Sequence, residues 1–261
     1  MTTEKDMNQT EQINKPLVWA HRGASHYAPE NTLPAFEKAA EMKADGVELD
    51  VQLTKDGEIV VVHDENLERV SDGLGYVKDH TFRELRAMNF SKVHPEYGKV
   101  QIPTLEEVYA LLKPTGLSIN VELKTGIFWY KGLEEKVLEL TARMGMEEHV
   151  IYSSFNHFTL VHMKKLQNDI ETGLLYSDNW IGVAPYARDT IHVNALHPAL
   201  YHLTDPTYVE TAHAYGLETH VWTVNEEEHM RMCRDMGVEA IITNRPDVCR
   251  RIVEESTCEI Q

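Results

Sequence analysis

The sequence has 261 residues, of which 42% are hydrophobic and 26% are charged, and these proportions exclude a disordered or fibrous chain. Its 25 lysines and arginines face 42 aspartates and glutamates, and the resulting formal charge of −17 opposes binding to nucleic acid or to anionic lipid. An anionic small molecule would therefore need a local group of cationic side chains.

Residues 1–16 are polar and acidic, and they contain no apolar core of the kind that a secretory signal requires. No apolar run of membrane length follows them. We therefore expect a polar N-terminal extension, no membrane anchor and a cytoplasmic location. The three cysteines, Cys233, Cys249 and Cys258, lack the paired spacing of a zinc site, so we expect them to be reduced and structural.

From Leu17 onward, helix-like and strand-like segments alternate, and a glycine often closes the helix-like segment. Glycine suits this position because a helix commonly ends on a left-handed residue, where a Cβ atom is costly. The strand-like segments, in chain order, are LVWAH, VELDVQL, LSINVEL, MEEHVIYSS, TGLLY, HVNALH, LETHVWTV and VEAIITN. This order predicts an α/β fold, a (β/α)8 TIM barrel with 17–261 as one domain. The alternative is an open, doubly wound sheet, but no GxGxxG fingerprint follows the first strand.

The segment from about residue 63 to about residue 103 interrupts this alternation. It is too long and too polar for an ordinary barrel connection, which has only a few residues. We expect a small inserted subdomain that joins the second strand to a helix beginning near Thr104. Thr104 precedes two acids, and Asn31 and Thr32 precede Pro34, which are patterns typical of helix starts.

Two of the predicted strands carry acids at alternate positions. Glu48 and Asp50 alternate with valine and leucine in GVELDVQL, and Glu122 does the same in SINVELK. Side chains alternate between the faces of a strand, so the apolar face would pack on helices and the acids would point into the barrel mouth. Buried charges there need compensation. One hard divalent cation, Mg²⁺ or Ca²⁺, would supply it, and the alternative is an ion-pair network with Arg22 and Lys124.

Two histidines are expected at the same rim. His21 ends the first strand and His63 follows the apolar run of residues 59–62, and functional residues of this fold collect at the C-terminal ends of the strands. Imidazole can take or give a proton near neutral pH, so the two histidines form a candidate acid and base pair. Arg22 and Lys124 would either bind a phosphoryl group or pair with the acids. Together these residues favour a phosphate-bearing substrate.

The same residues occur in an ordered series of motifs. They are HRG (21–23), PENT (29–32), AF (35–36), DGVELDVQLTKDG (45–57), VVVHD (60–64) and VELK (121–124). In this series the chain resembles the glycerophosphodiester phosphodiesterase family, and the likeness runs from about Leu17 to Val253. The resemblance implies a (β/α)8 barrel with a small insertion after the second strand. It also implies metal-dependent hydrolysis of glycerophosphodiesters, such as glycerophosphocholine or glycerophosphoethanolamine, to sn-glycerol 3-phosphate and an alcohol.

The resemblance further implies a role for each motif residue. It makes His21 and His63 the general base and acid, and it gives Trp222 a position where an aromatic side chain lines the pocket. The cofactor implied is one divalent cation, Mg²⁺ or Ca²⁺. The implied metal ligands are Glu48, Asp50 and Glu122, and the implied phosphate contacts are Arg22 and Lys124.

Several positions stay open at this stage. Asn31 and Asn244 are either helix caps or pocket residues. Glu30 either orients a catalytic neighbour or serves a helix dipole. Ser153 and His197 are weaker candidates for the site.

The substrate and the assembly state also stay open. The aromatic run of residues 128–130 would either help hold a choline head group or pack as a loop cluster. Alternative functions are a lysophospholipase D-like or glycerophosphoinositol phosphodiesterase on the same scaffold, or a non-catalytic barrel that binds phosphate metabolites. A homodimer is compatible with the sequence.

Overall fold

A computed structural model describes residues 15–255 of the chain. Its strands are β1 (Leu17–His21), β2 (Gly46–Leu53), β3 (Ile59–Val61), β4 (Ser118–Leu123), β5 (Val150–Ser154), β6 (Glu171–Tyr176), β7 (Ala195–Pro198), β8 (Glu218–Val221) and β9 (Ala240–Thr243). All neighbouring strands except β2 and β3 pair in parallel, and β1 pairs with both β2 and β9, which closes the sheet. The predicted TIM barrel is confirmed, because closure excludes an open sheet.

Strand β3 is an addition to the barrel. It runs antiparallel to β2, with Val61 opposite Val51, so the chain passes the barrel rim along β2 and then returns. The backbone N–H of Val62 donates to the carbonyl of Asp50 at 2.9 Å. His63 therefore comes back to the level of the acids by a reversal of the chain, which the apolar run of residues 59–62 did not reveal.

Helices surround the barrel. They are α1 (Leu33–Glu41), α2 (Phe82–Ala87), α3 (Leu105–Leu112), α4 (Leu133–Met144), α5 (His157–Leu166), α6 (Val183–Pro185), which a π-helix continues over Tyr186–Ile191, α7 (Tyr208–Ala214), α8 (Glu227–Met236) and α9 (Pro246–Glu254). Thr104 is the N-cap of α3, which agrees with the predicted helix start, and it forms a capping box with Glu107. Thr32, and not Asn31, occupies the N-cap position of α1.

The segment between β3 and α3 has a core of its own. It contains α2 and short 3₁₀ helices at Leu67–Arg69, Val77–Asp79 and Pro95–Tyr97. A separate apolar cluster holds it together, formed by Val60, Val62, Leu67, Val70, Val77, Leu85, Phe90 and Ile102. This cluster places the insertion over the end of β2, beside the barrel mouth.

The two faces of the barrel strands have different contents. Outward side chains such as Val47 and Val121 pack on the helices in large apolar clusters. Inside the barrel, at the inward-facing strand positions just below the mouth, the Trp19 ring lies 4.7 Å from the ring of His220. His220 Nδ1 lies 2.9 Å from Nε2 of His197, which is fully buried, and burial lowers the pKa of His197 well below its usual value. These rings close the floor of the mouth.

The sequence predicted reduced, structural cysteines and no membrane anchor. Cys233 and Cys249 are free and buried, and burial raises the pKa of each thiol to about 12, so both are inert. Residues 1–14 and Cys258 lie outside the described part of the chain. Within residues 15–255, no helix combines the length and the apolar character needed to cross a bilayer.

Gly23 offers a test of the local geometry after β1. Its φ of 78° is in the left-handed region, and a Cβ atom would lie 2.7 Å from the backbone carbonyl carbon of Ala35. We expect Gly23→Ala to lower the free energy of unfolding by about 2–4 kcal/mol, because it combines strain with overpacking. Gly126→Ala is the control, since its Cβ would meet no atom within 4 Å. Chemical denaturation measures both, and equal stabilities would contradict this account.

Candidate active site

A cavity of 340 Å³ opens at the C-terminal ends of the barrel strands. Its polar side is lined by His21, Arg22, Glu48, His63, Asn120 and Glu122, and its apolar side by Phe155, Leu175, Trp222 and Ile242. Asp50 and Lys124 contact this lining, Asp50 through Arg22 and Lys124 through Glu122. The structure thus brings all eight sequence-predicted site residues together.

The three acids converge as the strand alternation requires. Asp50 on β2 is in register with Glu122 on β4, and Glu48 precedes Asp50 by one alternation. One carboxylate oxygen from each lies within 4.8 Å of the others, and all three residues are buried. Burial, and then the neighbouring carboxylates, raise the pKa of Glu48 and of Glu122 above the usual range. The three side chains therefore form one strongly repulsive group.

The backbone after β1 is shaped around these acids. Arg22 and Asn31 have φ values of 56° and 57°, a left-handed conformation that is uncommon for residues with side chains. In this conformation the N–H of Arg22 donates to Glu48 at 2.9 Å, and Nδ2 of Asn31 donates to Asp50 at 2.8 Å. Asn31 is thus a site residue and not the helix cap. Strained backbone of this kind clusters at functional sites.

His21 has a defined tautomer. Its Nδ1 lies 2.7 Å from Oδ1 of Asn244, and because a carbonyl oxygen only accepts, Nδ1 carries the hydrogen and Nε2 keeps its lone pair. Burial, and then the positive charge of Arg22, lower the pKa of His21 to about 4. His21 is therefore neutral at pH 7 and able to accept a proton. Asn244 is not the cap of α9, because Arg245 occupies the N-cap position; its contact is with His21, which lines the cavity.

A ladder of hydrogen-bonded ion pairs leads from His63 to Arg22. Oδ1 of Asp64 accepts from Nδ1 of His63 at 2.6 Å, which leaves Nε2 of His63 for chemistry. Arg69 donates to both oxygens of Asp64 and to both oxygens of Glu30. Glu30 accepts from Arg22 at 2.9 Å. The bond from His63, and then Arg69, hold the pKa of Asp64 well below its usual range.

The apolar side of the cavity rests on two aromatic rings. Trp222 and Phe155 meet edge to face with centroids 5.5 Å apart, and Nε1 of Trp222 donates to the carbonyl of His197 at 2.7 Å. His197 itself lies below the cavity. In the run 128–130, Tyr130 is buried and donates to Gln52 at 2.8 Å, Phe128 packs edge to face on it, and Trp129 is 62% exposed; none of the three lines the cavity.

The chain matches one protein family over most of its length. The model of the glycerophosphoryl diester phosphodiesterase family matches residues 21–248. This chain belongs to that family. The membership makes it a phosphoric diester hydrolase.

Similar proteins are found among both curated sequences and solved structures. A glycerophosphodiester phosphodiesterase of Caldanaerobacter subterraneus is 40% identical over 242 residues, which are 92% of this chain and 99% of that protein. The crystal structure of a Silicibacter pomeroyi protein of the same family has a TM-score of 0.84 at 26% identity, covering 91% of this chain and 92% of the other. An Oleispira antarctica phosphodiesterase, solved in complex with the product sn-glycerol-3-phosphate, has a TM-score of 0.82 at 30% identity, with 92% and 97% coverage.

The donor set of this phosphodiesterase fits a hard cation. Arg22 lies 3.4 Å from Asp50 and Lys124 lies 3.0 Å from Glu122, so the ion pairs of the alternative interpretation are present. These two cations do not balance three carboxylates. The buried Oδ1 of Asp50 has no hydrogen-bond partner among residues 15–255. Three converging carboxylates with an unused oxygen match the oxygen ligands that Mg²⁺ and Ca²⁺ prefer.

Asp64, Arg69 and Phe155 take part in the site, but the sequence alone predicted no role for them. Asp64 stands next to His63 in the motif VVVHD, so proximity alone could have indicated it. Arg69 gave no such signal, because its contact with Glu30 joins residues 39 positions apart. Phe155 follows the fourth barrel strand, β5, directly, and only the closed barrel places it opposite Trp222.

Arg69 should affect catalysis without touching the reacting atoms. We expect Arg69→Gln to lower kcat/KM for diester hydrolysis about 10- to 100-fold, since Asp64 and Glu30 lose the group that orients them. Arg69→Lys should restore part of this loss, and circular dichroism should show an intact fold. Arg143→Gln is the control, because its pair with Glu106 is exposed. A wild-type rate for Arg69→Gln would show that the ladder is not needed.

Proposed function

We propose that this enzyme hydrolyses small glycerophosphodiesters, such as glycerophosphocholine or glycerophosphoethanolamine, to sn-glycerol 3-phosphate and an alcohol. The observation that carries the proposal is the meeting of three buried carboxylates and two imidazoles of defined tautomer in one cavity of 340 Å³. The Oleispira antarctica relative, whose complex contains sn-glycerol-3-phosphate, supports the same product.

The proposal includes one divalent cation, Mg²⁺ or Ca²⁺, held by Glu48, Asp50 and Glu122. When bound, the cation would offset negative charge on the phosphoryl oxygens. Arg22 and Lys124, which already contact the acids, would turn part of their hydrogen-bonding capacity to the same oxygens. The pocket then accepts an anion although the whole chain carries a formal charge of −17.

The two histidines divide the proton transfers. Nε2 of His21 would take the proton from the glycerol hydroxyl next to the phosphate, and that oxygen would bond to phosphorus. Nε2 of His63 would give a proton to the departing alcohol as its bond to phosphorus breaks. The first step leaves a cyclic phosphate. In the second step, His63 would take a proton from water, and the water oxygen would bond to phosphorus. The bond from phosphorus to the attacking glycerol oxygen would then break, and His21 would return its proton to that oxygen. The residues end as they began.

The apolar side of the cavity suits the carbon skeleton of the substrate. Phe155 and Trp222 line this side, and a choline group would gain cation–π contacts from their rings. The proposal also includes a cytoplasmic location, which the buried free thiols of Cys233 and Cys249 support. It treats 17–261 as one catalytic domain, because the insertion supplies Asp64 to the site.

Loss of either imidazole should remove the chemistry. We expect His21→Ala and His63→Ala each to lower kcat for glycerophosphocholine by about 10²- to 10⁴-fold, with little change in thermal stability. Release of sn-glycerol 3-phosphate in a coupled assay measures the rate. His162→Ala is the matched control, since this exposed histidine lies outside the cavity and pairs with Glu135. If both pocket variants keep the control's rate, the acid and base assignment is wrong.

Chelation tests the cation. We expect EDTA to abolish turnover and added Mg²⁺ or Ca²⁺ to restore it, because the acids repel one another without an ion. Glu122→Gln should weaken binding of the same ion in calorimetry, which needs no catalytic readout. Full activity in EDTA, together with no divalent ion in elemental analysis of the protein, would show that the acids form only an ion-pair network.

A further inference from the structure

Gln52 is the next to last residue of β2, and its side chain is fully buried. Its Nε2 atom donates to the carbonyl oxygens of Val62, His63 and Asp64, each at 3.0 Å. The amide has two hydrogens for these three acceptors, so it shares them. The acceptors also fix the orientation of the amide, because its oxygen atom would be repelled by three other oxygens.

The three carbonyls belong to the turn that carries His63. Residues 62–65 follow β3 and belong to no helix or strand. In a strand, successive carbonyls point in alternate directions, whereas here three successive carbonyls meet one donor. The backbone of this turn is therefore folded around the Gln52 amide, and that backbone determines where the imidazole of His63 begins.

The far side of the amide is held as well. The hydroxyl of Tyr130 donates to Oε1 of Gln52 at 2.8 Å, and Tyr130 is buried in a large apolar cluster of the barrel. Its ring packs on Phe128, whose ring meets that of Tyr76 in the insertion with centroids 5.4 Å apart. The amide is bonded on both sides, and it joins β2, the loop after β4 and the turn that bears His63.

Gln52 shares its strand with two of the acids. Asp50 and Gln52 are alternate residues of β2, so their side chains lie on the same inward face, with backbone positions about 7 Å apart. One strand therefore sets the distance from the carboxylates to the turn of His63. The ladder of Asp64 and Arg69 acts on the imidazole ring, whereas Gln52 acts on the backbone that carries the ring.

We propose that Gln52 is a positioning residue, which holds the turn so that Nε2 of His63 faces the departing alcohol. Gln52 lies outside the cavity lining, so it acts through His63 and not on the substrate. This inference rests on the proposed function, in which His63 gives a proton to the alcohol oxygen as its bond to phosphorus breaks. Without the amide, three carbonyls lose their donor and the turn relaxes away from that position.

A double-mutant cycle tests the inference. We expect Gln52→Met, which keeps the length of the side chain and removes the donor, to lower kcat for glycerophosphocholine about 10- to 100-fold, with KM changed less than about twofold. Because Gln52 acts through His63, adding Gln52→Met to His63→Ala should lower kcat no further. Gln101→Met is the matched control and should keep the wild-type rate, since this exposed amide of the insertion donates to the carbonyl of Arg86, outside the cavity.

A second substrate separates this inference from the proposed reaction. p-Nitrophenolate departs without a proton, so its single-turnover release from glycerophospho-p-nitrophenol should stay within about threefold of wild type in both His63→Ala and Gln52→Met. If His63→Ala is equally impaired on both substrates, His63 is not the acid and the proposed reaction is wrong. The cycle still decides whether Gln52 acts through His63.

Three results would overturn the inference. They are a wild-type kcat in Gln52→Met, an equal further loss when Gln52→Met is added to His63→Ala, and a Gln52→Met loss on the p-nitrophenyl diester that His63→Ala does not share. Circular dichroism checks the fold of each variant. If Gln52→Met does not fold, Tyr130→Phe removes the hydroxyl that holds the amide and should lower kcat about 2- to 10-fold, with no further loss in the His63→Ala background. A wild-type kcat in Tyr130→Phe would then contradict the inference in the same way.

Discussion

The mutual repulsion of three buried carboxylates is the constraint on which the active site depends. Glu48, Asp50 and Glu122 each offer an oxygen within 4.8 Å of the others, and because all three are buried, bulk water screens them little. The neighbouring groups are arranged to offset this repulsion. Arg22 adopts a left-handed backbone that brings its N–H and its guanidinium to two of the acids, and Lys124 reaches the third. The negative charge that these two side chains leave unbalanced suits a divalent cation.

Because side chains alternate along each strand, the residues that stabilise the barrel and the residues that form the active site lie on opposite faces. Outward residues of β2 and β4 pack on helices and stabilise the barrel, while inward residues of the same strands carry the acids. The floor below them is polar as well, because His197 and His220 lie side by side there. The barrel can therefore hold an unfavourable group at its mouth, since the outer apolar face supplies the stability that the inner face does not.

The barrel and its inward-facing acids could be predicted from local sequence patterns. Contacts between residues far apart in the chain could not. The alternation around Glu48 and Asp50 depends on neighbours in sequence, so it could be interpreted without a structure. The bond between His21 and Asn244 joins residues 223 positions apart, and no local signal connects them. Asn31 was ambiguous because one side chain suits both a cap and a pocket, and only the position of Asp50 distinguishes the two.

Because the chain reverses at β3, the two imidazoles are attached to different parts of the fold. His21 is anchored on a strand inside the closed barrel, whereas His63 is attached where a short antiparallel strand leads into an insertion with its own small core. Regions with small cores open at lower free energies than the main body of a protein. Warming should therefore loosen the insertion first and draw His63 away from His21. Heat inactivation would then be an early and reversible event, distinct from melting of the barrel.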